Sequence, residues 1–525
     1  MKGRFWLLLV FLIAVGVFRL VLAANSELSP EEAYYYEWSH HPDICYYSKG
    51  PLVAWSILGS TTLFGSSELG VRMLSPLLGF ATSLLIFLLG RRLYRERVGF
   101  WAAVAINLVP IFNVGSIVMT IDSLSIFLWT AGLSSFWLAQ AEYNEGWIWW
   151  VVTGVLIGLG VLAKYTNAFE LLSIFILLVF SARLRREFIR PRIYLLLAAF
   201  LPFLILPIWW NQQHDWLALE HLSLSGGLSR DWDFSFIPLL QGLGALFLLY
   251  SPFLLASAFV ALFASIPKAR RNSKVNFLLA FTWPLLLAYL ILSFKQRSDP
   301  SWTAPAFISL ALLTASWWVN LARTQRWVLV AGPIACGVSA LFTFVALNTD
   351  LLRQVGWSWS YQLDPSARAR GWRSIAVELN DFRNQFERKL GEEVFLIANR
   401  YQTAAVLGYY LPARQPEGPG HPPVYIPESQ DIENQYALWP RYDEFSDPDD
   451  TTNASSLFTE QVGVNRFVNR TALYITDRDE NEPPSNIRNA FTRWELVAQY
   501  DEQRRQLPLR QIKVFACYQY QTLPL

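Results

Sequence analysis

Three carboxylates and two ammonium groups carry the chemistry this sequence could perform. Glu31 and Glu32 stand in Leu28–Pro51, LSPEEAYYYEWSHHPDICYYSKGP, where the chain leaves its first membrane-length apolar segment. An ionised carboxylate there can accept a proton from a hydroxyl or phosphate at a bilayer surface. Ser29-Pro30-Glu31-Glu32 also reads as a helix start with acids in its first turn, and the two readings are compatible. Asp122 lies in Val118-Met119-Thr120-Ile121-Asp122, between apolar segments joined by almost no loop. An ionisable group so close to hydrocarbon is costly unless it has a task or a partner; Thr120 and Asp122 would equally serve as helix caps. Lys49 and Lys164 fall on the same side of the chain's topology. Lys164 follows the apolar run Gly154–Ala163, where it could meet a lipid-borne phosphate or only snorkel to the interface. Together these groups suggest a site for a polar group carried on a lipid.

Aromatics surround them: Tyr34, Tyr35, Tyr36 and Trp38, then Tyr46 and Tyr47, then Trp209 and Trp210. Aromatic faces stack on sugar rings, and they also gather at membrane interfaces, which suffices for Trp147, Trp149 and Trp150. His40, His41 and Asp43 have donor types that suit zinc but follow no fixed ligand pattern. No metal is assigned, and a divalent ion is conceivable without support. Three cysteines make no disulfide framework, although a Cys45–Cys517 bridge is conceivable. No P-loop, dinucleotide fingerprint or internal repeat is apparent, which argues against a nucleotide-driven pump.

The elements that must hold these residues are membrane helices. Of the 525 residues 53% are hydrophobic and 16% charged, with 23 tryptophans and a mean hydropathy of +0.27. These values fit a polytopic membrane protein. About eleven spans of bilayer length are expected: Phe5–Ala24, Leu69–Gly90, Val98–Val118, Ser123–Ala139, Trp147–Ala163, Ala168–Ala182, Ile193–Trp210, Phe236–Ile266, Val275–Phe294, Trp302–Leu321 and Trp327–Leu347. The sixth is short and the eighth long. Basic residues fall in alternate connections (Lys2/Arg4, Arg91–Arg97, Arg183–Arg192, Lys268–Lys274, Arg323/Arg326), which the positive-inside rule places in the cytoplasm. The acids, both lysines and everything after Asn348 would then face outward. After residue 347 the long apolar runs stop. Trp372–Leu390 has helical spacing, while Val394–Ala398, Ala472–Thr476 and Ile512–Tyr520 read as buried strands. Pro412–Pro427 reads as a loop. The expectation is a transmembrane domain over residues 1–347 and an extracytoplasmic α/β domain over 348–525.

The order of these pieces resembles the GT-C type glycosyltransferases that use lipid-linked sugars. Most similar are bacterial members of the dolichyl-phosphate-mannose protein mannosyltransferase superfamily, which includes the lipid A aminoarabinose transferases. The resemblance rests on Glu31-Glu32-Ala33-Tyr34-Tyr35-Tyr36, Trp38-Ser39, Tyr46-Tyr47-Ser48-Lys49-Gly50-Pro51, Met119-Thr120-Ile121-Asp122 and Gly158–Tyr165. Trp210-Asn211 with His214-Asp215-Trp216, and Trp302-Thr303-Ala304-Pro305, continue it. Arg400-Tyr401-Gln402, Asn434-Gln435-Tyr436 and Leu438-Trp439 extend it into the outer domain.

That resemblance implies a membrane transferase working on the outer face of the inner membrane. It would move a sugar from a polyprenyl-phosphate carrier to a lipid A-like envelope lipid or glycan, by inverting displacement. Glu31 takes the position of the presumed catalytic base, Glu32 that of its acidic neighbour and Asp122 the second acidic position. Lys49 and Lys164 would hold the carrier phosphate. Tyr34, Tyr35, Tyr47, Trp210, Asn211, His214, Trp302, Arg400 and Tyr401 would line the sugar and acceptor sites. Here glutamate replaces aspartate at residue 31, serine replaces the common acid at 48, and Gly50 replaces the first proline of a Pro-Pro turn. The partners implied are the carrier, the acceptor and membrane lipids, with no nucleic acid. Alternatives are a protein O-glycosyltransferase of the same superfamily, a lipid-linked-sugar transporter or flippase, and a noncatalytic glycan-binding membrane protein.

Overall fold

A computed structural model describes residues 2–141, 146–181, 183–227, 235–357, 359–412, 416–443 and 465–521. The expected loop Pro412–Pro427 thus falls partly outside the described residues, at 413–415. The chain divides into two compact units, Met1–Asn25 with Pro42–Leu352, and Ser26–His41 with Arg353–Leu525. The division falls a few residues after 347, and it assigns the short segment behind the first span to the second unit.

The first unit is a helical membrane bundle. Among the described residues seven helices are long and apolar enough to span a bilayer: Gly3–Asn25, Glu68–Leu93, Ile121–Gln140, Pro191–Gln213, Ser273–Ser293, Pro300–Leu321 and Val328–Leu347. An eighth span is made if Phe236–Tyr250 and Pro252–Lys268, bent by 110° at their junction, count as one. This bend explains the excess length of the eighth expected span. Ser251 at the junction has a positive φ of 64°, and Pro252 starts the second limb without needing a backbone donor.

The remaining three expected spans differ from a simple crossing. Trp147–Ala163 and Tyr165–Phe180 are apolar but short. Val98–Val118 is not one helix: it breaks into Glu96–Ile106 and Pro110–Val114. Pro110 cannot continue a helix, and Asn113 Nδ2 donates to the backbone oxygens of Asn107 (2.8 Å) and Val109 (3.0 Å), satisfying acceptors freed at the break. Arg19 donates to Oδ1 of Asn107 and of Asn113 at 2.8 and 2.9 Å, so the break is held by a buried polar cluster. The helices Leu52–Phe64 and Leu217–Ser225 were not expected. Aromatics fill the bundle core, with Phe136 edge-on to Trp150 at 5.4 Å and Trp129 edge-on to Phe281 at 6.4 Å.

The second unit holds a four-stranded mixed sheet of order β1-β2-β4-β3, with β1 Phe395–Ala398, β2 Ala472–Thr476, β3 Phe491–Arg504 and β4 Leu507–Tyr520. β1 and β2 run parallel, and the other pairs are antiparallel. The helix Trp372–Leu390 occupies the span its spacing requires, ending at Gly391 in the left-handed region. The helix Pro30–His40 belongs here because its aromatics pack on the helix Tyr401–Tyr410: Tyr34 lies 4.6 Å from Tyr401 and Tyr36 4.9 Å from Tyr409, centroid to centroid. The N–H of Leu28 also donates to the Tyr410 hydroxyl at 2.7 Å.

Candidate functional site

Within the membrane unit the sequence's two strongest ionisable candidates meet. Lys164 Nζ donates to Asp122 Oδ1 at 2.6 Å and to Ser301 Oγ at 3.2 Å. Local backbone sets each partner. Thr120 Oγ1 accepts from the N–H of Asp122 at 3.3 Å, so the threonine does the capping and leaves the aspartate free to pair. Lys164 ends the helix Trp147–Ala163 in an extended conformation, with its N–H bonded to Gly160 O at 2.8 Å.

A braced loop carries Lys49 to the same place. Trp210 Nε1 donates to Asp43 Oδ2 at 2.9 Å, Trp55 Nε1 donates to Asp43 O at 2.9 Å, and the Tyr47 ring lies 4.9 Å from that of His221. Cys45 Sγ stands 3.5 Å from the Tyr165 hydroxyl. A Cβ on Gly50 would fall 2.1 Å from Leu162 O, so only glycine lets the loop lie against the helix end two residues before Lys164. This is the physical content of the glycine that replaces the expected proline. Burial pushes the Lys49 ammonium below its ordinary pKa; neighbouring Lys164 adds to that, and Asp122 and Asp299 oppose it. Burial also lowers His221, and the Lys49 charge adds to the effect.

A chain of contacts links the charged cluster to the wall of an apolar cavity. Two residues beyond Ser301, Thr303 shares a hydrogen bond of 2.9 Å with the Tyr250 hydroxyl, and the Tyr250 ring stacks on Phe307 at 3.7 Å. Tyr250 and Phe307 line a cavity of about 170 Å³, walled also by Trp101, Phe112, Leu254 and Trp318, with Arg97 among its lining residues.

Other expected site residues have structural work. Trp210 stacks on His214 at 4.0 Å. Asn211 donates to Pro207 O at 2.7 Å and accepts from the N–H of Leu219 at 3.0 Å, which closes the turn made by left-handed Asp215 and Trp216. Trp302 is half-buried and sits in the short turn that carries Ser301.

In the second unit Glu31 is exposed and Glu32 fully buried. Glu32 Oε2 accepts from the N–H of Ser29 at 2.9 Å, while Ser29 Oγ accepts from the N–H of Glu32 at 3.3 Å, a complete capping box. Tyr34 and Tyr35 are buried, and the Tyr34 hydroxyl accepts from the N–H of Gln435 at 2.8 Å, so both are packing residues in this structure. Tyr401 packs on Tyr34, and Arg400 precedes its helix and pairs with Asp477. The conceivable zinc donors are otherwise engaged: His40 Nδ1 lies 3.0 Å from Tyr36 O, and His41 lies 3.4 Å from Glu37. Among the described residues no three His, Cys, Asp or Glu side chains cluster to hold a metal. Cys45, Cys336 and Cys517 are free thiols, so the conceivable Cys45–Cys517 bridge is not formed.

Sequence reasoning missed Ser301, Thr303 and Tyr250. A long-range contact such as that of Ser301 with Lys164 leaves no local trace in the sequence. Asp43 was weighed only as a metal donor, whereas its carboxylate anchors the loop.

Residues 48–210 match the family model described as dolichyl-phosphate-mannose-protein mannosyltransferase. The chain is 26% identical over 301 residues to a lipid A galacturonosyltransferase, RgtD, of Rhizobium johnstonii, covering 55% of this chain and 60% of that protein. It is 27% identical over 351 residues to undecaprenyl phosphate-alpha-4-amino-4-deoxy-L-arabinose arabinosyl transferase 2 of Proteus mirabilis, covering 60% of each. The chain thus spans about three fifths of the length of these curated relatives. In fold it follows ArnT from Cupriavidus metallidurans bound to undecaprenyl phosphate over 98% of both chains, with a TM-score of 0.59 at 16% identity. An Archaeoglobus fulgidus oligosaccharyltransferase is similar at a TM-score of 0.53 and 14% identity, over 90% of this chain and 68% of that one. This multi-span membrane protein thus carries one segment similar to the dolichyl-phosphate-mannose-protein mannosyltransferase family and shares its fold with ArnT.

Proposed function

We propose that this chain is an integral-membrane glycosyltransferase that takes a sugar from a polyprenyl-phosphate carrier and gives it to a lipid A-like glycolipid or glycan on the extracytoplasmic face. One observation carries the reading: the cluster Lys164, Asp122, Ser301 and Lys49 is linked through Thr303 to Tyr250, which walls an apolar cavity. A charged head linked to an apolar cavity fits an amphiphile with an anionic headgroup and a hydrocarbon tail. The names of the relatives support the same donor and acceptor classes.

In this reading Lys164 and Lys49 hold the carrier phosphate. Glu31, exposed and free of the capping box that occupies Glu32, accepts the proton of the acceptor hydroxyl. The acceptor oxygen attacks the anomeric carbon as the bond to the phosphate oxygen breaks. The electron pair leaves on the phosphate, whose growing charge the ammonium groups stabilise. Asp122 holds Lys164 in place for that step. The basic connections alternate along the chain, which supports an outward-facing site and second unit and an inner-membrane location.

The test is mass spectrometry of envelope lipids and glycans from cells carrying the wild type, Asp122→Asn, or a deletion. A hexose-, uronate- or pentose-sized addition present only with the wild type is the expected result. Identical lipid, glycan and protein-glycan profiles, with both proteins expressed, would refute the reading.

A further inference from the structure

Resting on that reading, we infer that Asn167, through Ser125, is a positioning residue that sets the geometry of the Lys164–Asp122 pair. Asn167 is fully buried, and its side-chain amide bonds Ser125 rather than either charged group. Its Oδ1 accepts from Ser125 Oγ at 2.5 Å, and its Nδ2 donates to Ser125 O at 3.1 Å, so one amide grips both the side chain and the backbone of one residue. The two contacts form parallel rungs. Asp122 pairs with Lys164 and Ser125 with Asn167, each across 42 residues of sequence. Ser125 follows Asp122 by three residues, one helical turn away on the same face. Asn167 follows Lys164 by three, and its N–H donates to Lys164 O at 2.9 Å.

The lysine gains from such a rung because its backbone hydrogen bonds do not fix its side chain. It is the extended residue between a helix and a 3-10 turn, and its long side chain has many rotamers to lose. The amide clamp fixes the distance between the helix that carries Asp122 and the segment that carries Lys164. A Cβ on Gly160 would fall 2.5 Å from Asn167 Nδ2, so the glycine whose carbonyl caps Lys164 also makes room for the clamp. Small displacements at a reacting centre have large kinetic effects.

The same pair of helices supplies an internal control. Ser135 Oγ and Thr153 Oγ1 lie 2.8 Å apart, and both residues are buried. They link the Asp122 helix, Ile121–Ala141, to the helix that Lys164 ends, Trp147–Ala163, some three turns from the pair. The experiment compares reconstituted wild type, Asn167→Ala, Ser125→Ala, the double variant and Thr153→Val. It reads thermal stability, undecaprenyl phosphate affinity by native mass spectrometry, and sugar transfer. Asn167→Ala is expected to weaken carrier binding and turnover about tenfold or more. Ser125→Ala should do the same, and the double variant should be no worse than either. Thr153→Val should lower the melting temperature comparably but leave binding and turnover near wild type. If Asn167→Ala and Thr153→Val behave alike in all three readouts, the clamp is ordinary packing and the inference fails. Wild type that binds the carrier but transfers nothing would refute the transferase reading while binding still decides the clamp. Wild type that binds no carrier would overturn both.

Discussion

Lys164 Nζ lies 2.6 Å from Asp122 Oδ1, and the two side chains are unequally buried, 8% exposed for the lysine and 28% for the aspartate. Losing the carboxylate therefore leaves a largely buried ammonium with only the neutral Ser301 hydroxyl among the bonds described above, whereas losing both partners removes the charge as well. Breaking a buried pair from one side is far more costly than replacing both members by uncharged groups. Asp122→Asn is expected to lower both stability and transfer, the latter by about a hundredfold. Asp122→Asn combined with Lys164→Met should recover melting temperature but not activity. Recovery of activity in the double variant would show that the pair is structural only.

Lys49 gives the pH dependence. Burial and the adjacent Lys164 lower its pKa, so its ammonium is lost at a lower pH than that of a free lysine. Protonated Lys49 is the form that attracts phosphate; carrier affinity should therefore be retained on the acid side and fall as pH rises through the lowered pKa. Arginine stays charged throughout. Lys49→Arg is expected to move the alkaline limb of donor affinity to higher pH. An unchanged limb, measured by carrier binding across pH, would assign the titration to another group.

Gly50 can be tested without touching any charged group. The atoms an added Cβ would meet, Leu162 O, C and Cα at 2.1, 2.7 and 2.9 Å, are all backbone and cannot rotate away. Gly50→Ala should cost about 1–3 kcal/mol as overpacking and weaken carrier binding by shifting Lys49. Gly59→Ala is the control: it lies in the helix Leu52–Phe64 with nothing within 4 Å of the added carbon, and should be neutral or stabilising. Thermal melts and carrier titrations of the two variants check both statements, and a wild-type melt for Gly50→Ala would refute the first.

What the sequence made legible follows from how local each signal is. The helix Trp372–Leu390 announces itself through apolar spacing and a terminal glycine, and the capping box at Ser29–Glu32 through four adjacent residues. β3 was missed because it is an edge strand whose side chains are mostly exposed or half-exposed, leaving no apolar alternation. Its hairpin turns through Arg505 and Gln506, both at positive φ, where a glycine or asparagine would have signalled the turn. Pro110 marks the break in Val98–Val118 in the sequence, but the cluster that holds it is not local, because Arg19, far away in the chain, binds both Asn107 and Asn113. Asp122 and Lys164 were each visible as costly charges, but their pairing, and the parts of Ser301 and Tyr250, depend on tertiary contacts that no spacing encodes.

Variants of Glu31 and Glu32 test the proposed base apart from the helix cap. Glu32 is buried and bonded to the N–H of Ser29, while Glu31 is exposed in the same first turn. Glutamine keeps the acceptor oxygen a capping box needs but cannot take a proton. Glu32→Gln is therefore expected to retain both stability and transfer, and Glu32→Ala to lose about 1 kcal/mol of stability with transfer reduced only in proportion to folded protein. Glu31→Gln should melt like the wild type and lose transfer by about a hundredfold or more, the range expected for removal of a general base. Retained transfer in Glu31→Gln would remove Glu31 from the mechanism and leave Asp122 as the carboxylate to test next. Loss of transfer in Glu32→Gln without a change in melting would move the base role to Glu32.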